Sequence, residues 1–264
     1  MMYDITIWDY PDDAVFCFKD VLAFCMRHEE TQAILTSTLR DYRDDCLTDY
    51  RGPLADIDAL AAPYGIPGYT LQFILYITLL DEAERKYRKE GLSALFYDSF
   101  DDLRVKNGEC WTVHSVYGTF VAPWLAGFFQ RTRFGFGRLE AEKRTDEIRI
   151  HIPAKGKLLE EECQKSYERA SAFFHLSRIA TESWLLAPWL RALGEDSGIV
   201  RFAKRYKLVE VIEDRTNADA WRIFGKCDPT KPESLREDTR LQRLAKAHLV
   251  AGGSLDRGYG FFTI

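Results

Sequence analysis

Residues 134–175 place the tightest constraint on how this chain can fold. They read FGFGRLEAE, KRTD, EIRIHIP, AKGK and then a helical pattern from about Leu159. That order is strand, turn, strand, basic glycine-containing loop, helix. Phe134, Phe136, Arg138, Glu140 and Glu142 share one parity in the first run. In the second run Ile148, Ile150 and Ile152 share one parity, and Glu147, Arg149 and His151 share the other. Strand side chains alternate with period two, so two such runs joined by four polar residues predict an antiparallel hairpin. A two-residue turn sets Glu140 opposite Arg149 and Arg138 opposite His151, with Glu142 and His151 on one polar face. Pro153 has no N–H to donate, so pairing is expected to stop there.

The loop Ala154-Lys155-Gly156-Lys157 follows at once, and LLEEECQKSYERASAFFHLSRIA then carries helical spacing through Leu159, Cys163, Tyr167, Ala170 and Phe174. A strand that ends in a short glycine loop and opens a helix can hold an anion. Free N–H groups and the helix dipole favour phosphate oxygens, and two lysines add charge. Glu160, Glu161 and Glu162 suit the same dipole and fit an ordinary loop-to-helix connection equally well. The loop is neither a Walker A motif nor a G-x-G-x-x-G motif.

Composition narrows the partners. The chain has 264 residues, 46% hydrophobic and 29% charged, enough to bury a core as one large or two small domains. A net charge of −5 disfavours nucleic acid. The six cysteines, at 17, 25, 46, 110, 163 and 227, form no C-x-x-C pair. Cys25 with His28, and Cys110 with His114, have spacings a metal can use, but no second pair completes a four-ligand set. The expectation is reduced, mostly buried thiols and no metal. The acidic start MMYDITIWDYPDD has no basic n-region and so is not a signal peptide. The longest run free of Asp, Glu, Lys and Arg, Cys110–Gln130, contains His114 and Pro123 and is too broken to span a membrane. A cytoplasmic, membrane-free location is expected.

Taken in order, the first half reads as helices. They fall at 12–27 with Asp12 or Asp13 as cap, at 28–47, and around 56–62 after a break at Gly52-Pro53. The strongest is 70–89, apolar nearly all round in LQFILYITLL; further helices fall around 93–105 and 109–130, the last kinked at Pro123. After residue 133 strands and helices alternate. Strands are expected at 134–142, 147–152, 182–187, 207–213 and 220–226. Helices are expected at 159–180, around 188–206 and at 239–251, and GYGFFTI closes the chain as a strand. His248 lies on the apolar face of the 239–251 helix, where a satisfied core histidine is expected, and Gly252 stops that helix. The fold class is α+β: a helical N-terminal domain over 1–132, then a mixed-sheet α/β domain over 133–264.

This order, with FGRLEAE (136–142), IHIP (150–153), SYERASAFF (166–174), ESWLLAPWL (182–190), SGIVRFAKRY (197–206), TRLQRLAKAHLVAGG (239–253), YGIPG (64–68) and WLAGFF (124–129), resembles a known family. It is similar to bacterial acyltransferase-domain proteins that join a helical N-terminal acyltransferase domain to a GNAT-like C-terminal domain. The resemblance covers nearly the whole chain. It implies an N-acyltransferase that moves an acyl group from acyl-CoA, its donor substrate, to an amine-bearing small molecule or peptide. It also implies that acyl-pantetheine lies along the strand Arg149–Pro153, with a backbone N–H near Ile152 facing the oxyanion. The pyrophosphate would lie at Ala154, Lys155, Gly156, Lys157 and Leu158. The family's loop signature, [Q/R]-x-x-G-x-[G/A], is incomplete, since Gly156 is the only glycine there, and Gly198 stands where the family pattern tends towards Asn.

Direct transfer to an amine needs a base, an oxyanion donor and an acid for the departing thiolate. Glu142 and His151 are the candidate bases; a cross-strand Glu140–Arg149 ion pair with Glu142 as its solvated neighbour is the structural alternative. Tyr206 is the candidate acid, or else an aromatic packing its helix end. The incomplete glycine loop also fits a non-catalytic module that binds acyl-CoA or docks a protein.

Overall fold

A computed structural model describes residues 3–264 of the protein. The chain divides into two compact units, 1–134 and 135–264.

Among the described residues of the first unit no strand precedes Arg133. Its helices are α1 (Asp12–Cys25), α2 (Glu29–Arg43), α3 (Arg51–Ala59), α4 (Ala61–Tyr64), α5 (Gly68–Lys89), α6 (Ser93–His114) and α7 (Ala122–Phe129). The all-round apolar run makes α5 the centre, with Leu71, Phe73, Ile74, Leu75, Tyr76, Ile77, Leu79 and Leu80 all buried and α1, α2, α3, α6 and α7 packed about it. Three buried tyrosines satisfy backbone carbonyls of α7: Tyr76 to Ala122 (2.7 Å), Tyr87 to Phe128 (2.8 Å) and Tyr42 to Phe129 (3.1 Å). The last two carbonyls lie at the helix end, beyond the reach of intrahelical N–H groups, and Arg131 is their other donor.

Three expectations fail here. Gly52-Pro53 does not break a helix but lies in the first turn of α3, where a proline's missing N–H costs nothing. Residues 93–114 form one helix through Gly108, and Pro123 stands at the second position of α7 rather than at a kink. Neither Asp12 nor Asp13 caps α1; Pro11 holds that position without a side-chain bond.

The second unit carries β2 (Glu140–Lys143) and β3 (Ile148–His151), following β1 (Arg133–Gly135), in which the unit boundary falls. Then come α8 (Glu160–Phe174), β4 (Arg178–Ser183), α9 (Gly198–Lys204), β5 (Lys207–Ile212), α10 (Trp221–Phe224), α11 (Arg240–Val250) and β6 (Arg257–Thr263). One mixed sheet has the order β1-β2-β3-β4-β6-β5, so the closing strand lies inside it. β3 and β4 are parallel, and β6 is antiparallel to both β4 and β5. Ala141, Ile148, Ile150, Ile179 and Phe262 share one face, where Tyr167 of α8 stacks edge-on to Phe262. Gly258 and Gly260 of β6 share that face too, and a Cβ on Gly258 would meet Leu186 Cβ at 2.7 Å. Glycine there lets Leu186 pack directly on the strand.

The expected strand 134–142 is in fact two strands. Gly137 adopts φ +87°, and Phe136 N–H donates to the Leu139 carbonyl at 2.9 Å, so β1 and β2 form their own tight hairpin. The strand expected at 182–187 ends at Ser183, whose hydroxyl accepts from Leu185 N–H and opens a 3-10 turn. The strand expected at 220–226 is α10, with Ile223 and Phe224 buried against Ala245 and Leu249 of α11. A short apolar run carries too few residues for its period to separate strand from helix. α11 has a full capping box between Thr239 and Gln242. His248 bonds the Ser254 carbonyl at 3.0 Å and stacks on Trp189, as a satisfied packing histidine does.

Candidate active site

The β2–β3 pairing sets Glu140 opposite His151 and Glu142 opposite Arg149. The expected pairs, Glu140 with Arg149 and Arg138 with His151, are therefore not formed. The turn has two residues, but they are Thr145 and Asp146, closed by Arg144 N–H to the Glu147 carbonyl at 2.8 Å. A register shift of two keeps every side chain on its face, so the hydrophobic pattern accepts either register. For the same reason Glu142 and His151 still meet. Glu142 Oε1 lies 3.4 Å from His151 Nε2, and Arg144 donates to the same carboxylate at 2.5 Å. Such a diagonal pair lies within reach of long side chains across an antiparallel ladder.

The rest of that face is a charge network held by Glu147. Its carboxylate accepts from Tyr259 Oη (2.7 Å), Arg149 (2.9 Å) and Arg178 (3.4 Å). Burial works to raise the Glu147 pKa, and these partners outweigh it, holding the carboxyl below its usual range. Arg149 also lies 3.8 Å from Glu182 on β4. His151 thus projects from a strand whose neighbouring side chain is locked in place.

The β3–β4 ladder has only two pairs, Ile148 with Ile179 and Arg149 with Ala180, although both strands run on. Past that point the Ile150 carbonyl accepts from the Thr181 hydroxyl at 2.9 Å. The two strands thus stay joined through that side chain, and chain 152–159 leads away to α8.

That loop is shaped by a residue the sequence pattern assigned to a strand. Arg138, in the β1–β2 turn and 8% exposed, donates to three loop carbonyls: Pro153 (2.9 Å), Gly156 (3.0 Å) and Lys157 (3.1 Å). Its only sequence signal was its place beside a glycine in FGRLEAE. Gly156 has φ +84°, and a Cβ there would meet nothing within 4 Å, so the loop is open on that side. Lys157 is exposed and Lys155 half-buried. α8 has no side-chain cap and carries Glu160, Glu161 and Glu162 in its first turn. Those carboxylates already offset the helix dipole, so any anion here depends on the loop amides and basic side chains.

Beside Leu158 lies a cavity of about 420 Å³ between α8 and α9, lined by Cys163, Tyr167, Arg201, Lys204 and Arg205 among others. Gly198, at the start of α9, lets that helix approach the loop; a Cβ there would sit 3.3 Å from the Leu158 carbonyl. Tyr206 is 5% exposed, packs on Phe262, and shares a 2.9 Å hydrogen bond with the Tyr167 hydroxyl. Burial raises both phenols above their usual range, so each keeps its proton. Through Phe262, Tyr206 lies on the sheet face opposite Glu142 and His151, with the sheet between them.

All six cysteines are free thiols, and no cluster of three metal-ligating side chains occurs among the described residues. No helix among them is long and apolar enough to cross a membrane.

Solved structures share this fold. An acyltransferase in complex with decanoyl-CoA is 20% identical at a TM-score of 0.66, over 75% of this chain and 66% of its own. An acyltransferase with decanoyl-CoA and teicoplanin is 18% identical at a TM-score of 0.70, over 87% of this chain and 76% of its own. Another, with CoA and 10C-teicoplanin, is 19% identical at 0.68 over the same shares. The chain thus spans just under two thirds of the first of these proteins. No curated protein sequence matches it. The family model described as GNAT-like C-terminal domain matches residues 70–262. Since that is well over half its length, the chain belongs to the family of proteins with a GNAT-like C-terminal domain.

Proposed function

We propose that the protein is an acyltransferase that moves an acyl group from acyl-CoA to an amine. The observation that carries this reading is the junction at the end of β3. The backbone ladder with β4 ends after Arg149, and an open glycine loop pinned by Arg138 follows, beside a cavity whose lining includes Arg201, Lys204 and Arg205. A thioester lying along Arg149–Pro153 places its pyrophosphate at Ala154, Lys155, Gly156, Lys157 and Leu158. Arg201, Lys204 and Arg205 add positive charge for the nucleotide end. Solved structures with this fold hold decanoyl-CoA and octanoyl-CoA, which supports a medium-length acyl donor.

In this reading His151, paired with Glu142, takes the proton from the acceptor ammonium. The amine nitrogen attacks the thioester carbonyl, and the Ile152 N–H donates to the oxyanion. As the C–S bond breaks, the thiolate takes the proton of Tyr206, with Tyr167 behind it as hydrogen-bond partner; the attacking nitrogen gives its second proton to water as the amide forms, and water returns a proton to Tyr206. Helices 1–132 form the domain that accompanies this transfer. An amine on a glycopeptide or other peptide suits the acceptor role, since two structural neighbours carry teicoplanin or its 10C form.

The test is free-thiol release from acetyl- to decanoyl-CoA with mixed amine acceptors, alongside thermal shifts for each donor. A donor that binds only the folded state raises the melting temperature. Turnover that falls about 10²-fold or more in His151→Gln and Tyr206→Phe, at unchanged donor binding, is expected for acid–base roles. Donor binding without turnover by the parent indicates a binding module instead, and no binding ends the acyl-CoA reading.

A further inference from the structure

The structure assigns Arg138 as the positioning residue that turns the 153–158 backbone outward toward a diphosphate, doing with a buried guanidinium what a glycine-rich loop does elsewhere. This rests on the acyl-CoA reading above and goes beyond it, because neither the family pattern nor the strand periodicity gives this arginine a role.

Three carbonyls of one short loop point at one planar cation. In a trans peptide the C=O and the following N–H point in opposite directions. The Pro153, Gly156 and Lys157 carbonyls face Arg138, so the N–H groups of Ala154, Lys157 and Leu158 face away from it. Successive outward amides form an anion-binding concavity. The Pro153 carbonyl also accepts from the Lys155 N–H at 2.8 Å, and Arg138 joins it to the Gly156 and Lys157 carbonyls. A guanidinium is suited to this work because its five donors lie in one rigid plane; the rotatable ammonium of lysine cannot hold three separate acceptors in one geometry.

The surroundings leave Arg138 little else to do. It is buried, so it does not bind ligand itself. Burial lowers its pKa, while Cys163, Glu162 and Glu140 nearby act to keep its charge. The positive-φ Gly137 beside it forms the tight β1–β2 turn that aims the side chain at the loop. The strand break after Gly135 therefore has a purpose in the site.

Calorimetry with CoA and with pantetheine, which lacks the diphosphate, separates shape from general damage. Arg138→Gln is expected to weaken CoA binding at least about tenfold and to leave pantetheine binding unchanged. Arg138→Lys, which keeps the charge, is expected to fall between parent and Arg138→Gln. In the parent, adding CoA should slow amide exchange at Ala154, Lys157 and Leu158, a measurement that needs no variant. The inference is overturned if Arg138→Gln binds CoA like the parent, if CoA and pantetheine weaken equally, or if CoA protects amides elsewhere but not these. A parent protein that binds no CoA removes the acyl-CoA reading itself, and the role of Arg138 with it.

Discussion

Replacing Glu147 by Gln tests the network that fixes the strand before the site. The carboxylate is 7% exposed and serves Tyr259, Arg149 and Arg178 together. A hydrogen bond to a charged partner contributes about 1.5–3 kcal/mol. The Arg178 and Arg149 side chains are 36% and 23% exposed, so water screens both. Glutamine keeps one acceptor oxygen for Tyr259 but turns an amide donor toward the two arginines. The net loss is about 2 kcal/mol, equal to a fall of about 4–8 °C in the unfolding midpoint for a chain of this size.

The sign of the pH dependence follows from the depressed carboxyl. Its contribution is complete above the unfolded value of about 4.3 and is lost as pH falls through the folded pKa. Thermal unfolding of parent and variant at neutral pH should therefore show the full gap, narrowing steadily below about pH 4.3. A midpoint change under about 1 °C at pH 7, or a gap just as wide near pH 3, would refute the network as a source of stability.

Gly258→Ala should destabilise the second unit by about 1–3 kcal/mol, because its Cβ would lie 2.7 Å from Leu186 Cβ and Leu208 Cδ1; urea unfolding measures this, and an unchanged midpoint contradicts the packing described. The double change Lys155→Ala with Lys157→Ala should weaken CoA binding and flatten its salt dependence while leaving the unfolding midpoint within about 0.5 kcal/mol of the parent; an unaltered salt slope counts against the loop as the diphosphate site. Gly156→Val should act through backbone strain rather than crowding, since the space beside Gly156 is open but its φ is +84°. Binding of CoA and stability should therefore fall together.

Much of this protein was legible in its sequence, because short-range patterns carry it. The all-round apolar run in 71–80 announced a central helix, the isoleucine alternation at 148–152 a half-buried strand, and Thr239 with Gln242 a capped helix. The Glu142–His151 pair was legible as well, since parity alone puts both side chains on one face whichever even register forms. What the tertiary structure decided was everything that depends on which backbone groups meet. The turn at Thr145–Asp146 selected one register among several the pattern allows. The turn at Gly137 divided one apparent strand into two and carried Arg138 out of the ladder and under the loop. The placement of β6 between β4 and β5, with Gly258 and Gly260 receiving Leu186, required long-range contacts that no local period records. Tyr206 shows the same division. Its place at the end of SGIVRFAKRY suggested an acid, but only the packing of Phe262 put it on the far side of the sheet from His151.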